Sequence, residues 1–370
     1  MTVRDLACQL IACPSVTPDE AGCMAMIREF LTAHGFACRM LDRGGVTNLW
    51  ATRGEGRTFC LYGHCDVVPP GPREAWATDP FVPTIEGDTL FGRGASDMKG
   101  PLAAVLIAAT QAQTSGRVAV FVTSDEEGPG VHGTEFALPA LLEQGERIDA
   151  ALVAEPTSEQ VFGDVLKVGR RGSFGGKIRF LGKQGHVAYP HLAENPIHAA
   201  APALQRLLET TLDTGGDGFA PSAFQVTNIQ AGTGATNVTP GECEVMFNIR
   251  YGVKSTPDSL RRTIETALQG TRYELDAKNN SSPFLTAPGP LTSLLAEEVE
   301  RVAGRRPELG TGGGTSDARV FAACGIPVAE FGPSNATIHA ANECVSLSDL
   351  EKCVEIYRAV TERFLADELA

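Results

Sequence analysis

Residues 58–66 read Thr58-Phe59-Cys60-Leu61-Tyr62-Gly63-His64-Cys65-Asp66. The uncharged run over 58–62 predicts a buried strand, and the histidine that follows lies at its carboxyl end. Residues 118–122 (Val118-Ala119-Val120-Phe121-Val122) and 150–154 (Ala150-Ala151-Leu152-Val153-Ala154) predict two more buried strands. Helical patterns over 102–110 and 133–142 separate the three. Alternating strand and helix defines an α/β sheet with helices on its faces.

Upstream, residues 1–10 contain Arg4 and Asp5 and read as the start of a helix. They lack the basic-then-apolar layout of a secretory leader. Thr17-Pro18-Asp19-Glu20 predicts a second helix start, with Thr17 capping, Pro18 in first position and Glu20 completing a capping box. Met24, Ile27, Phe30 and Leu31 follow at helical spacing, and Gly35 ends the run.

Downstream the style changes near Leu166. Residues 177–180, 223–229 and 243–251 alternate as half-exposed strands do, and helices are expected over 196–212 and 258–269. After Pro283 the α/β style returns, with a helix over 291–303, a strand over 327–331 and a helix over 348–364. The chain therefore predicts a discontinuous catalytic domain, residues 1–171 and 285–370, around an inserted α+β domain, residues 172–284. A length of 370 residues suits two domains.

The net charge of −14 disfavours nucleic acid and anionic membranes as partners. No apolar run approaches the roughly 18 residues of a membrane span. The ten cysteines run from Cys8 to Cys353 without a Cys-x-x-Cys pair, which fits free thiols in a cytoplasmic protein.

Chemistry-bearing residues gather at the predicted strand ends. His64 and Asp66 point to one side of their strand, so Asp66 can orient a metal-ligating imidazole. Asp97, in Gly92-Arg93-Gly94-Ala95-Ser96-Asp97, is held at a helix entrance, where taken alone an N-cap is the plainer reading. Asp125-Glu126-Glu127 follows the second strand; a cation would relieve its repulsion, and a solvated acidic loop is the plainer alternative. Glu155 ends the third strand, and His339 follows the strand over 327–331. Gly312-Gly313-Gly314-Thr315-Ser316-Asp317 can cradle an anion but is not a Walker loop. Two histidines and several carboxylates at strand ends suit a two-metal hydrolytic centre. Cys65 adjoins His64, but strand neighbours face opposite ways, which argues against a thiol nucleophile.

These motifs resemble the metal-dependent amidohydrolase superfamily of aminoacylases, deacylases and carboxypeptidases, and most closely its desuccinylase members. The most specific stretches are Lys167-Val168-Gly169-Arg170-Arg171-Gly172-Ser173, Gly185-His186-Val187-Ala188-Tyr189-Pro190-His191, Gly332-Pro333-Ser334-Asn335-Ala336-Thr337-Ile338-His339 and Asn342-Glu343-Cys344-Val345. Cys65 stands where threonine is usual, and Ala318 where glycine is usual.

The resemblance implies a zinc-exopeptidase-like catalytic domain and an inserted lid and dimerisation domain. It implies two zinc ions per subunit, with cobalt able to substitute. His64 and Glu155 would hold one, Glu127 and His339 the other, and Asp97 would bridge both. It also implies a cis peptide at Asp97–Met98, Glu126 as general base and Asp66 as the residue orienting His64. His186, Tyr189 and Asn237 would act in trans within a homodimer. Arg170, Ser173, Arg250, Gly314, Thr315 and Asn335 would bind substrate. The implied reaction removes the succinyl group from N-succinyl-LL-2,6-diaminopimelate, in lysine and diaminopimelate biosynthesis. The alternatives are deacylation of another N-acyl amino acid, such as N-acetylornithine, and a non-catalytic metal-binding dimer.

Overall fold

The computed structural model describes residues 1–366. The chain divides into two compact units. The first comprises Met1–Val168, Thr286–Gly310 and residues 316–366. The second is Gly169–Leu285 together with Thr311–Thr315. The glycine-rich turn was expected with the catalytic domain; instead its residues 311–315 group with the second unit.

An eight-stranded mixed sheet forms the centre of the first unit. Strand Thr58–His64 lies between Arg117–Thr123 and Ala150–Val153, parallel to both, and Val328–Glu330 continues the parallel series. The register sets His64 opposite Thr123, Tyr62 opposite Val153 and Val153 opposite Glu330. Four carboxyl ends therefore open onto one edge.

Parallel neighbours need a crossover, and helix Lys99–Gln111 lies in the one between the strands ending at His64 and Thr123. Residues Lys99 to Ala109 of this helix are all buried. A helix apolar on every side belongs inside. It packs against the two strands it connects and against helices Val3–Ile11 and Leu347–Leu365. A Cβ at Gly100 would sit 2.2 Å from the Ala95 carbonyl oxygen, so the helix start presses directly on the loop carrying Asp97.

Two local expectations are corrected. The second helix spans Cys23–Ala33, not from Pro18, and Gly22 precedes it with a left-handed φ of 86°. Thr17–Pro18 is a cis bond, and the Glu20 carboxylate accepts from the Met24 amide at 2.9 Å. Glu20 thus satisfies a free amide of the first turn from outside the helix. Strands Ala37–Arg43 and Val46–Arg53 form an antiparallel hairpin where no strand was expected. Gly44 and Gly45, both at positive φ, make its two-residue turn. Arg39, Asp42 and Arg43 hid the outer strand because it lies at the sheet edge, half exposed.

The second unit has a four-stranded antiparallel sheet in the order Ala223–Ala231, Glu242–Tyr251, Gly172–Leu181, Tyr273–Ser281. Cys243, Val245, Phe247, Ile249 and Tyr251 alternate into its core, beneath helices Pro196–Glu209 and Pro257–Ala267. Proline opens each helix, with Asn195 and Thr256 as caps. No helix among the described residues is long and apolar enough to cross a membrane.

Asp213 ties the loops of this unit together. Its carboxylate accepts from Gly215 N at 2.9 Å, Ser222 N at 3.1 Å, Ser255 Oγ at 2.5 Å and the Ser222 hydroxyl. Burial alone would raise its pKa, but the Ser222 and Ser255 hydroxyls outweigh burial and lower it to about 2. A carboxylate depressed in the folded state stabilises above its unfolded pKa, and the contribution fades as pH falls towards about 2. Asp213→Asn should therefore cost about 1–3 kcal/mol at neutral pH, since it leaves buried donors unmatched. The difference in urea midpoint between the two proteins should shrink as pH drops below 4. A pH-independent difference would contradict this account.

Candidate active site

Most residues expected at the metal centre follow the carboxyl end of a strand, and Asp97 stands at a helix entrance. His64 is the last residue of its strand. Glu126 and Glu127 follow the strand ending at Thr123, and Glu155 follows the strand ending at Val153. Asp97 lies just before helix Lys99–Gln111, with a cis peptide to Met98. His339, at a φ of 60°, lies in the loop beyond strand Val328–Glu330.

The geometry resolves into two groups that share Asp97. Asp97 Oδ1 is 3.4 Å from His64 Nε2, which is also 3.8 Å from Glu155 Oε1. Asp97 Oδ2 is 3.2 Å from His339 Nε2, which is 2.8 Å from Glu127 Oε1. Glu126 Oε2 lies 4.0 Å from His64 Nε2. Donor atoms of His64, Asp97 and Glu127, and likewise of His64, Glu126 and Glu155, lie within 4.8 Å of one another.

The charges explain what such a cluster needs. Burial opposes charge on His64, but the Asp66 and Asp97 carboxylates overcome it and raise its pKa well above the usual value. Asp97 and Glu127 raise His339 to about 10. Burial would raise Asp97, yet the imidazoles of His339 and His64 hold it below the ordinary carboxylate range. Glu126 is raised well above that range by burial and by the nearby Glu155. His64 Nε2 and Asp97 Oδ1 are buried without a hydrogen-bond partner. Such atoms are costly to leave unmatched, and a cation between them would satisfy both. The nitrogen and oxygen donors here fit divalent ions.

Asp66 differs from its expected geometry. Its carbonyl oxygen, at 2.9 Å, is nearer to His64 Nδ1 than its carboxylate, at 3.5 Å. The carboxylate instead accepts from the amides of Glu126 at 3.3 Å and Glu127 at 3.1 Å. Asp66 therefore contacts both the imidazole and the acidic loop. Cys65 packs into the hydrophobic core. All ten cysteines are free.

The expected substrate residues fall mostly in the second unit. Arg170 Nη1 donates to the carbonyls of Gly312 at 3.3 Å and Gly314 at 3.4 Å, in the turn that also holds Thr315. Ser173 stands opposite Arg250 in the sheet and accepts from Asn248 Nδ2 at 3.0 Å. His186 and Tyr189 share an exposed corner, with rings 5.8 Å apart. There the Asn237 carbonyl accepts from Val187 N at 3.1 Å. Asn335 belongs to the first unit, where its amide donates to Ser158 O at 3.0 Å.

Sequence reasoning gave no role to Tyr62 or Asp317. Tyr62 Oη donates to Asp317 Oδ2 at 2.5 Å and lies 2.9 Å from Thr134 Oγ1, all of them buried. Tyr62 precedes His64 by two residues, so this network anchors the strand that carries the imidazole. The apolar run around Tyr62 disguised it as a plain core residue.

A mixed α/β sheet with histidines and carboxylates gathered at its strand ends defines a metal-dependent hydrolase. The chain belongs to peptidase family M20/M25/M40, whose sequence model matches residues 60–363. It is 50% identical to a succinyl-diaminopimelate desuccinylase of Alkalilimnicola ehrlichii and 48% identical to one of Bordetella parapertussis, covering 98% of each chain in both cases. Its fold is similar to that of an M20 family metallo-carboxypeptidase, Sso-CP2 from Sulfolobus solfataricus. That likeness has a TM-score of 0.81 at 18% identity, over 98% of this chain and 99% of the other.

Proposed function

We propose that the chain hydrolyses N-succinyl-LL-2,6-diaminopimelate to succinate and LL-2,6-diaminopimelate, a step of lysine and diaminopimelate biosynthesis in the cytoplasm. The observation that carries the chemistry is Asp97, whose two oxygens face separate histidine–glutamate groups. The substrate follows from relatives of that name, 48–50% identical over nearly the whole chain.

Two zinc ions, with cobalt as a substitute, suit the site. His64 and Glu155 would hold one, Glu127 and His339 the other, and Asp97 both. Divalent ions held by these residues would supply Lewis acidity, lowering the pKa of water and polarising the scissile carbonyl. Glu126 takes the proton of the attacking water and returns it to the leaving amine. Asp66 steadies His64 and the acidic loop.

Arg170 and Arg250 offer guanidinium forks suited to the substrate's carboxylates, and Ser173, Gly314, Thr315 and Asn335 are the further substrate-binding candidates. The second unit serves as lid and dimerisation surface. His186, Tyr189 and Asn237 on it reach the active site of a second copy, where His186 stabilises the developing oxyanion.

Metal-free protein reconstituted with zinc or cobalt should turn over succinyl-diaminopimelate, whereas the metal-free control should not. Its kcat/KM should exceed that on N-acetylornithine by at least about tenfold, a discrimination of roughly 1.4 kcal/mol. Faster hydrolysis of acetylornithine would reassign the substrate. Metal uptake without hydrolysis of any N-acyl amino acid would leave a binding protein.

A further inference from the structure

One buried carboxylate beside the centre has no part in the chemistry above. Glu343 is fully buried. Its Oε2 accepts from Arg93 Nη1 at 2.7 Å and from Gly94 N at 2.9 Å. Its Oε1 accepts from Ser96 N and Asp97 N, each at 2.9 Å. The Glu343 carbonyl accepts from Gly92 N at 3.0 Å.

Arg93, 1% exposed, lies over the Trp76 ring at 5.2 Å, and its Nη2 is 3.5 Å from the His339 carbonyl oxygen. Ser96 Oγ donates to Ser334 O at 2.5 Å. The loop that carries Asp97 is thus laced to the loop that carries His339, and Glu343 holds most of the laces.

A buried ion pair is a poor way to stabilise a fold, because apolar side chains of similar volume usually do as well. Its merit here is geometric. Four donors on one carboxylate fix its position, and two of them, the amides of Ser96 and Asp97, belong to the backbone at the shared aspartate. Metal ligands tolerate displacements of only about 0.2 Å.

We propose that Glu343 is a positioning residue. With Arg93 it sets the spacing of Asp97 and His339, and so the fit of the ion those two side chains share. The proposal rests on the two-ion reading above.

Glu343→Gln tests it, because the variant keeps the volume but turns an NH2 group toward donors. Metal-free protein is titrated with Zn2+ by calorimetry and with Co2+ by visible absorption. Wild type should take up two ions. In the variant one of the two should bind about 10–100-fold more weakly, as changes behind metal ligands commonly do, with an altered cobalt spectrum and retained circular dichroism.

Unchanged affinity for both ions, with only a lower melting temperature, would overturn the proposal and leave Glu343 a structural staple. If Glu343→Gln does not fold, Arg93→Lys decides. It keeps the charge but loses the fork, and should weaken the same ion by a smaller factor; no change would overturn the proposal. A wild-type chain that binds no divalent ion would instead overturn the two-ion reading itself.

Discussion

Glu126→Gln should leave two divalent ions bound and lower kcat by about 10²–10⁴-fold, the usual worth of a positioned general base. Glutamine keeps the shape and one acceptor oxygen but cannot take a proton. The position suits the task. Glu126 follows the strand ending at Thr123, and its carboxylate lies 4.0 Å from His64 Nε2. Burial and the neighbouring Glu155 raise its proton affinity well above that of an ordinary carboxylate. Cations in the site would offset part of the Glu155 repulsion but not the burial. A carboxylate poised in this way can both accept a proton and release it within one turnover. Metal content by elemental analysis and single-turnover kinetics check the result together. Near-normal turnover in a fully metallated variant would remove Glu126 from that role.

Asp97→Asn should reduce uptake from two ions towards one. The activity loss at equal metal concentration should exceed the roughly 10–100-fold that changes behind the ligands cost. Asp97 faces both groups, with Oδ1 3.4 Å from His64 Nε2 and Oδ2 3.2 Å from His339 Nε2. An amide keeps one oxygen for one group and presents an N–H donor to the other. A cation cannot use that donor, so one ion loses a ligand and the negative charge that held it. The fold should survive, because the neighbouring backbone bonds to Glu343 do not involve the Asp97 side chain. Stoichiometry by elemental analysis, beside circular dichroism, reads the outcome. Two ions bound with wild-type affinity would show that Asp97 does not bridge.

The two variants probe different elements of one design. In the proposed mechanism Glu126 moves protons, and Asp97 sets where positive charge sits. Losing the first should spare metal binding; losing the second should not. A protein in which both behaved alike would not separate base from ligand.

The strands were legible because the physics that buries them is local. Runs such as Phe59 to Tyr62 and Val118 to Val122 are apolar without a break, and helix Lys99–Gln111 is apolar on every side. The acids and histidines just past those runs pointed to the carboxyl edge of the sheet. The hairpin Ala37–Arg43/Val46–Arg53 was less legible. Its Gly44-Gly45 turn was the available signal, but charged residues on the edge strand blurred the alternation.

The amino-acid sequence by itself determined the α/β class, the change from an α/β to an α+β pattern and back, and the residue types at the strand ends. Each is written in side-chain polarity along short windows of chain, where hydrophobic burial acts. Only tertiary structure decided that Asp97 faces two groups, that the Asp66 carboxylate serves the Glu126 and Glu127 amides, and that Glu343 gathers the loop around Asp97. These are contacts of a few ångströms between residues 33 to 246 positions apart, set by strand register and loop path. No local pattern of polarity encodes them, because hydrogen bonds and ion pairs depend on where the folded backbone carries each group, not on its neighbours in the chain.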